Sequence, residues 1–200
     1  EIEDSLLYEN PNSVYLGSPQ KIYLRYNYSY KDRIEAGFVL EKDPGEYLFK
    51  NTLNDSILQL LGDKSYSGFD FFSFHLYITK FWFLKTLAIG DYKVSFGQGL
   101  TMGSGMAFVG NGGSLLRRNK KITASKSANE AYYLRGIAST FEYKNFELSI
   151  FYSNKKTDAN IVEYDTIDEI PLKISSLQQS GLHRTYNEIL DRKVVRQQLC

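Results

Sequence analysis

Residues 21–40 decide the fold most directly, and they read KIYLRYNYSYKDRIEAGFVL. In the first half, Ile22, Leu24 and Tyr26 occupy alternate positions, and polar residues such as Arg25 occupy most of the positions between them. This period of two is typical of a β-strand with one apolar and one polar face. The alternation resumes after Lys31-Asp32, so the stretch predicts two strands joined by a tight turn, a β-hairpin.

The same pattern occurs twice more along the chain. The predicted hairpins span about residues 21–42, 70–97 and 133–154, each with strands of roughly 9–11 residues, the length of a tilted membrane strand. The apolar face, which we predict to meet lipid, carries Ile22, Leu24, Tyr26, Tyr28, Ile34, Phe38, Leu40, Phe72, Phe74, Leu76, Val94, Phe96, Phe141, Leu148 and Ile150. The polar face, which we predict to line a lumen, carries Arg25, Glu35, His75, Asp91, Lys93 and Glu147.

The connections alternate strictly between short and long. The links within hairpins are only a few residues, whereas those between hairpins cover about residues 42–69, 98–131 and 155–191. Outer-membrane barrels have short periplasmic turns and long outside loops, and loops this long are uncommon in compact soluble domains. The sequence therefore predicts an all-β, antiparallel, up-and-down transmembrane β-barrel.

Strand period alone does not separate a barrel from a soluble β-sandwich, which also alternates between core and solvent. Aromatic residues favour the barrel, because Tyr, Phe and Trp make up 15% of the chain and several lie beside the predicted short turns. Such residues form girdles at membrane interfaces. The candidates for the periplasmic girdle are Tyr30, Phe81, Trp82, Phe83, Tyr143 and Phe146.

Strand parity predicts that residues 1–200 are one internal section, of about seven strands, from a larger barrel. If Lys31-Asp32 is periplasmic, the first clear strand runs inward from the outside, whereas a complete bacterial barrel begins with an outward strand. Residues 193–199 likewise look like the start of a seventh strand. An open sheet would expose unpaired backbone to lipid, so more strands or more chains must close it.

No set of residues predicts catalysis, a metal site or a cofactor. His75 and His183 have no second His or Cys at ligand spacing, and the stretch 97–103 lacks the third glycine of a dinucleotide loop. The net charge of +1 gives no general attraction to nucleic acid.

Two charged loop segments have both a functional and a structural interpretation. A basic run in the second long loop could contact lipopolysaccharide or an acidic partner, or could be a solvated loop; its members are Arg117, Arg118, Lys120, Lys121 and Lys126. Glu163, Asp165, Asp168 and Glu169 could bind calcium, but their spacing fits a solvated acidic loop better. Short helices are predicted in the loops near residues 55–61 and 186–190, the second from a Thr185–Glu188 capping box.

Several motifs also resemble those of one protein family. They are VYLGSP at 14–19, EKDPGE at 41–46, GFDFFSFHL at 68–76, IGDY at 89–92, FGQGL at 96–100, LRG at 134–136, FYSNKKTDAN at 151–160 and GLHRT at 181–185. Together they resemble the β-barrel region of large Bacteroidota outer-membrane proteins described as containing a helix-hairpin-helix. The resemblance covers most of the chain from about residue 14, implies an outer-membrane location, and supplies no catalytic residues.

These observations predict a non-enzymatic barrel protein of the bacterial outer membrane. It would act as a pore, or as a structural subunit of a transport, secretion or assembly complex, in contact with outer-membrane lipid and with other outer-membrane or periplasmic proteins. The alternative is a surface protein that binds a ligand or partner through its long loops. A soluble secreted β-sandwich and a barrel enzyme are weaker alternatives.

Overall fold

A computed structural model of the chain describes residues 15–96, 102–103, 121–129, 132–164 and 171–200. The fold is all-β and antiparallel, with few helices. Over these residues, no helix has the length and apolar character needed to cross a bilayer. The strands are β1 (Ile22–Tyr30), β2 (Ile34–Lys42), β3 (Phe71–Phe81), β4 (Leu84–Phe96), β5 (Met102–Gly103), β6 (Ile122–Ala124), β7 (Leu134–Tyr143), β8 (Phe146–Thr157), β9 (Ala159–Tyr164), β10 (Pro171–Leu177) and β11 (Val195–Leu199).

The larger sheet has the strand order β1-β2-β3-β4-β7-β8-β11, and β5 and β6 also pair with β4. Among the described strands this path does not close into a barrel. The three predicted hairpins are confirmed as β1–β2, β3–β4 and β7–β8. In the first turn, Lys31 and Asp32 have φ angles of 48° and 50°, and the Arg33 N–H donates to the Tyr30 carbonyl, which makes a type I′ turn.

Both predicted loop helices are confirmed. Helix α1 (Asp55–Leu61) has Asn54 as its N-cap and Gly62 as its C-cap. Helix α2 (Tyr186–Leu190) has the predicted capping box between Thr185 and Glu188. Two short 3-10 turns lie beside α1, at Lys50–Thr52 and Gly62–Lys64.

The third long connection, which the sequence predicts as a loop with one short helix near residues 186–190, also contains strands. Strand β8 continues through Thr157, and the following residues form a separate two-stranded sheet of β9 and β10. The period of two continues into Ala159–Tyr164, but the sequence offers no Gly-rich turn that would signal a hairpin there.

The described residues form two compact units. The described residues of unit 1 lie within 15–25, 39–72 and 156–196, so this unit includes described parts of two of the long connections. The described residues of unit 2 lie within 26–38, 73–155 and 197–200, so this unit includes the short turns. Each is described separately below.

Strand register defines two faces of the sheet in unit 2. Residues opposite each other on neighbouring strands share a face. One row joins Leu76, Ile89, Ile137 and Tyr152, and we call its side the outer face. The next row joins Tyr77, Ala88, Ala138 and Phe151, on what we call the inner face.

One pair of glycines interrupts the regular geometry of the larger sheet. Gly90 and Gly136 are directly paired and both have positive φ, at 92° and 154°, so the backbones of β4 and β7 deviate from regular strand geometry at this row. A Cβ on Gly90 would lie 2.4 Å from the Phe74 carbonyl oxygen. Beyond Gly90, Tyr92 and Val94 pair with Ala124 and Ile122 of β6.

The apolar core of unit 2 connects the part of β4 beyond Gly90 with the inner face of the sheet. Its buried members are Tyr77, Ala88, Tyr92, Val94, Ile122, Leu134 and Ala138. The Tyr77 hydroxyl donates to the Ile122 carbonyl oxygen at 3.0 Å, and the Tyr92 hydroxyl donates to the Tyr152 carbonyl oxygen at 2.8 Å. Strand β6 therefore packs over the inner face of the sheet.

Candidate functional site

The distribution of polar and apolar side chains in unit 2 is the reverse of that in a water-soluble sheet. On β3, Ser73, His75 and Tyr77 are buried, whereas Phe74 between them is 41% exposed. On β8, Leu148 and Ile150 are 59% and 54% exposed, whereas Ser153 on the inner face is 1% exposed. Burying polar groups while leaving large apolar ones exposed is unfavourable in water.

Most of the side chains predicted to meet lipid lie at accessible positions. Ile22, Leu24, Tyr26, Tyr28, Phe72, Phe74, Leu148 and Ile150 are exposed, and Ile34, Phe38, Leu40, Leu76 and Phe141 are half-buried. Within unit 2, the rings of Tyr26 and Phe38 stack with centroids 5.7 Å apart, which supports their assignment to one face. Contact with lipid itself stays a prediction.

The predictions for Val94 and Phe96 are wrong. Val94 is 1% exposed and belongs to the apolar core over the inner face. Phe96 packs against the same core and stacks on Phe151 of the inner face, with ring centroids 6.2 Å apart.

The error lies in the phase of β4, where both alternating sets are largely apolar. The predicted lumen positions of Asp91 and Lys93 are wrong for the same reason, because both residues share the alternation of Ile89 and not that of the inner face. Register with β3 places Ala88 opposite Tyr77 and Ile89 opposite Leu76, so Ile89 is on the outer face. The period of two alone therefore does not distinguish the two faces of β4.

The six predicted lumen residues separate into different environments. Glu35 and Glu147 line a polar cavity on unit 2, whereas His75, Asp91 and Lys93 do not. His75 is buried beside Gly37, whose missing Cβ leaves room for the imidazole ring. Asp91 is buried and accepts from Arg135 Nε at 2.6 Å and from Nη2 at 2.8 Å. Lys93 is half-buried, and Arg25, in unit 1, is exposed.

The polar cavity has a volume of about 610 Å³. Its lining residues are Asp32, Arg33, Glu35, Tyr77, Thr79, Lys80, Lys85, Thr86, Lys121, Ile122, Thr140 and Glu147. Within it, Glu147 lies 3.4 Å from Lys85 Nζ and 3.2 Å from Lys121 Nζ. Glu35 pairs with Lys126 Nζ at 2.5 Å. The walls are thus charged but largely compensated.

Of the predicted basic run, the structure describes Lys121 and Lys126, which pair with Glu147 and Glu35 respectively. Arg117, Arg118 and Lys120 lie outside the described residues, as do Asp165, Asp168 and Glu169.

Unit 1 contains a buried ionic cluster that the sequence did not predict, formed by Glu46, Asp70, Asp158, His183 and Arg192. His183 Nδ1 contacts the Asp70 carboxylate, and its Nε2 lies 3.1 Å from Asp158 Oδ2. The other Asp70 oxygen lies 2.5 Å from Arg192 Nε. The histidine and the three acids are each less than 9% exposed.

Backbone groups complete the cluster. Glu46 Oε1 accepts from the His183 N–H at 2.9 Å and Oε2 accepts from the Asp43 N–H at 2.7 Å. Asp158 Oδ1 accepts from the Lys193 N–H at 2.7 Å. The cluster therefore ties the segment before β3 to those around β9 and α2. The apolar side chains of Tyr47, Leu53, Leu61 and Ile189 form a separate core in the same unit.

Charge balance explains the protonation states in the cluster. Burial by itself lowers the pKa of His183, but the neighbouring Asp158 and Asp70 carboxylates outweigh it and raise that pKa to about 10. Burial and the charge of Asp70 raise the pKa of Glu46 to about 7. Burial opposes ionisation of Asp158, but His183 lowers its pKa overall. His183 is thus a cation held between two carboxylates.

This arrangement suits structural stabilisation better than chemistry. Ligand atoms of Glu46, Asp70 and His183 lie close enough together to reach one metal ion. However, both Glu46 oxygens accept backbone hydrogen bonds, and Asp70 already pairs with both His183 and Arg192. A metal ion would have to displace the proton of His183 and compete with Arg192 for the Asp70 carboxylate. A general base needs a free ring nitrogen, and both nitrogens of His183 face carboxylates.

The cluster predicts how stability depends on pH. Because the folded pKa of His183 is raised, its contribution is fully present below about pH 6.5 and is lost as the pH rises through about 10. We expect the unfolding free energy of the chain to fall across this range, and the fall to disappear in His183→Gln. Urea unfolding at a series of pH values measures it, and an equal fall in both proteins would contradict the assignment.

The sequence missed the cluster because its members are far apart along the chain: Asp70 and His183 are separated by 113 positions. The one local signal was the capping box, which fixes Arg184 and Thr185 immediately after the histidine.

Comparison with known proteins gives no relative. No protein-family model, curated protein or solved structure matches the chain. The resemblance to Bacteroidota outer-membrane barrels therefore stays a hypothesis that rests on the quoted motifs.

Proposed function

We propose that the chain is a section of an outer-membrane β-barrel protein that acts as a non-enzymatic structural subunit rather than as an open pore. In this proposal, the outer face of unit 2 meets lipid and its inner face belongs to the barrel interior. The long connections lie on the extracellular side.

The observation that carries the proposal is the reversed exposure of unit 2. The outer face presents Phe74, Ile89, Ile137, Leu148 and Ile150 while serines, a histidine and a threonine are buried on the other side. Each large apolar side chain left in water forgoes roughly 1.5–3 kcal/mol of burial free energy. Lipid removes that cost, and it also explains why the outer face carries no charged side chain between Phe74 and Ile78 or between Leu148 and Tyr152.

The aromatic residues support the same arrangement. At the β3–β4 turn, Phe81, Trp82 and Phe83 are exposed, with Trp82 at 90%. Tyr143 and Phe146 are exposed at the β7–β8 turn. Aromatic side chains at strand ends fit the boundary between hydrocarbon and headgroups, where a ring can be apolar on one side and hydrated on the other.

The inner face favours a structural subunit over an open pore. Strand β6 packs over it, with Ile122 buried against Tyr77 and Ala138, and Lys121 pairs with Glu147. A conducting lumen needs polar, water-filled walls, whereas this part of the wall is covered by an apolar core.

Unit 1 favours a second candidate, a surface that binds a partner. Binding sites are often loops held rigidly by their scaffold, and the ionic cluster fixes the long connections of unit 1 in this way. This role is compatible with the first, because a structural subunit also contacts neighbours.

The proposal predicts stable insertion into lipid. When the chain is refolded with phosphatidylcholine vesicles, we expect it to float with them on a density gradient and to remain after alkaline carbonate extraction. A chain that stays folded and monomeric in buffer without lipid or detergent would contradict the proposal.

A further inference from the structure

A second, smaller cavity of unit 2 lies at the end of the β3–β4 hairpin, on the side of the short turn. It has a volume of about 350 Å³ and is lined by Lys80, Trp82, Phe83, Leu84, Lys85 and Glu142. We propose that this cavity binds the headgroup of an anionic phospholipid, an inference that rests on the membrane location proposed above.

The charges of the cavity favour an anion. Lys85 is compensated, since its Nζ lies 3.1 Å from Glu142 Oε2 and 3.4 Å from Glu147 Oε2. Lys80 is exposed and has no ion pair with any residue that the structure describes. The two lysines and one glutamate that line the cavity leave one positive charge in excess, at Lys80.

The apolar part of the lining points to a lipid rather than a soluble anion. Trp82 and Phe83 have ring centroids 4.9 Å apart, and Phe83 stacks on Phe141 of the neighbouring strand at 6.0 Å. Trp82, Phe83 and Leu84 line the cavity together with Lys80 and Lys85. A headgroup phosphate next to Lys80, with its glycerol and first methylenes against the rings, matches both parts of the cavity.

Backbone geometry holds the lysine and the tryptophan at this turn. Lys80 and Trp82 both have left-handed φ angles, 57° and 55°. A matched lysine exists at the β7–β8 turn, where Lys144 has a φ of 55° and lies over the Tyr143 ring at 5.4 Å. Lys144 does not line the cavity. Asparagine tolerates the left-handed conformation, so it removes either charge with little backbone strain.

Trp82 is the chain's single tryptophan, so its fluorescence reports on this cavity alone. The full chain is reconstituted in phosphatidylcholine vesicles that contain a trace of spin-labelled phosphatidylglycerol or of spin-labelled phosphatidylcholine. We expect the labelled phosphatidylglycerol to associate about five-fold more strongly, which corresponds to roughly 1 kcal/mol for one lysine near an anionic lipid surface. Lys80→Asn should abolish the preference and Lys144→Asn should retain it.

The outcomes separate this inference from the proposed function. Equal quenching by both lipids, with the Trp82 emission blue-shifted, would leave the membrane location standing and overturn the headgroup site. Loss of the preference in Lys144→Asn as well would show general surface charge and overturn it too. If inorganic phosphate abolished the preference for phosphatidylglycerol, the cavity would bind a free anion and the lipid-headgroup site would be overturned. An unshifted Trp82 emission without quenching would contradict the membrane location itself.

Discussion

Asp70→Asn is expected to destabilise the chain by about 3–5 kcal/mol, the usual cost of removing one partner from a buried ion pair. Asp70 lies between two cations, with one oxygen at His183 and the other 2.5 Å from Arg192 Nε. Asparagine keeps the size of the side chain but removes its charge. His183 then faces only the Asp158 carboxylate, and Arg192 loses its ion pair with residue 70. Urea unfolding measures the loss.

Asp63→Asn provides the matched control for this substitution. Asp63 lies in the same unit but is exposed and has no ion pair with a described residue, so its replacement should change stability by no more than about 0.5 kcal/mol. Hydrogen exchange adds a local readout, because the His183 and Lys193 N–H groups donate to Glu46 and Asp158. Equal stability of Asp70→Asn and Asp63→Asn would show that the cluster contributes nothing to the fold.

Ile150→Lys is expected to destabilise the membrane-inserted chain by about 2–4 kcal/mol, the cost of a lysine near the middle of a bilayer. Ile150 is 54% exposed and lies in mid-strand on β8. The expected size of the destabilisation depends on whether the outer face meets lipid or water. If the outer face met water, a lysine at an exposed position would change stability by only about 0.5 kcal/mol.

Asn154→Lys is the control for position along the strand. Asn154 lies on the same alternation of β8 and is also exposed, but it already carries a polar side chain and lies toward the far end of the strand from the turn. We expect a small effect there, since the cost of a charge falls to about 0–1 kcal/mol near the interface. Refolding titrations in vesicles compare the two variants. Equal, small effects would mean that Ile150 does not meet lipid.

Local alternation was enough to predict the three hairpins, their short turns and both loop helices. These features depend on residues close together in the chain, such as the Lys31-Asp32 turn or the Thr185–Glu188 capping box. Such interactions leave a pattern that can be seen without the fold.

The phase of β4 and the ionic cluster could not be predicted in the same way. Around Ile89 both faces of β4 are apolar, and only its register against Leu76 and Ile137 shows which face is exposed. His183 looks like an ordinary loop residue until the fold brings Asp70 and Asp158 to its two nitrogens. Strand β6 depends on pairing with the distant Tyr92 and Val94, which no local pattern signals.

The central claim is that the outer face of unit 2 meets lipid, and neighbouring positions on β8 test it most directly. With Cys200 replaced by serine, single cysteines at Ile150 and Ser149 carry a fluorophore on opposite faces of one strand. We predict that brominated acyl chains quench the label at Ile150 and leave the label at Ser149 unaffected. Quenching of both labels by an aqueous quencher, with no effect of brominated lipid on either, would contradict the account.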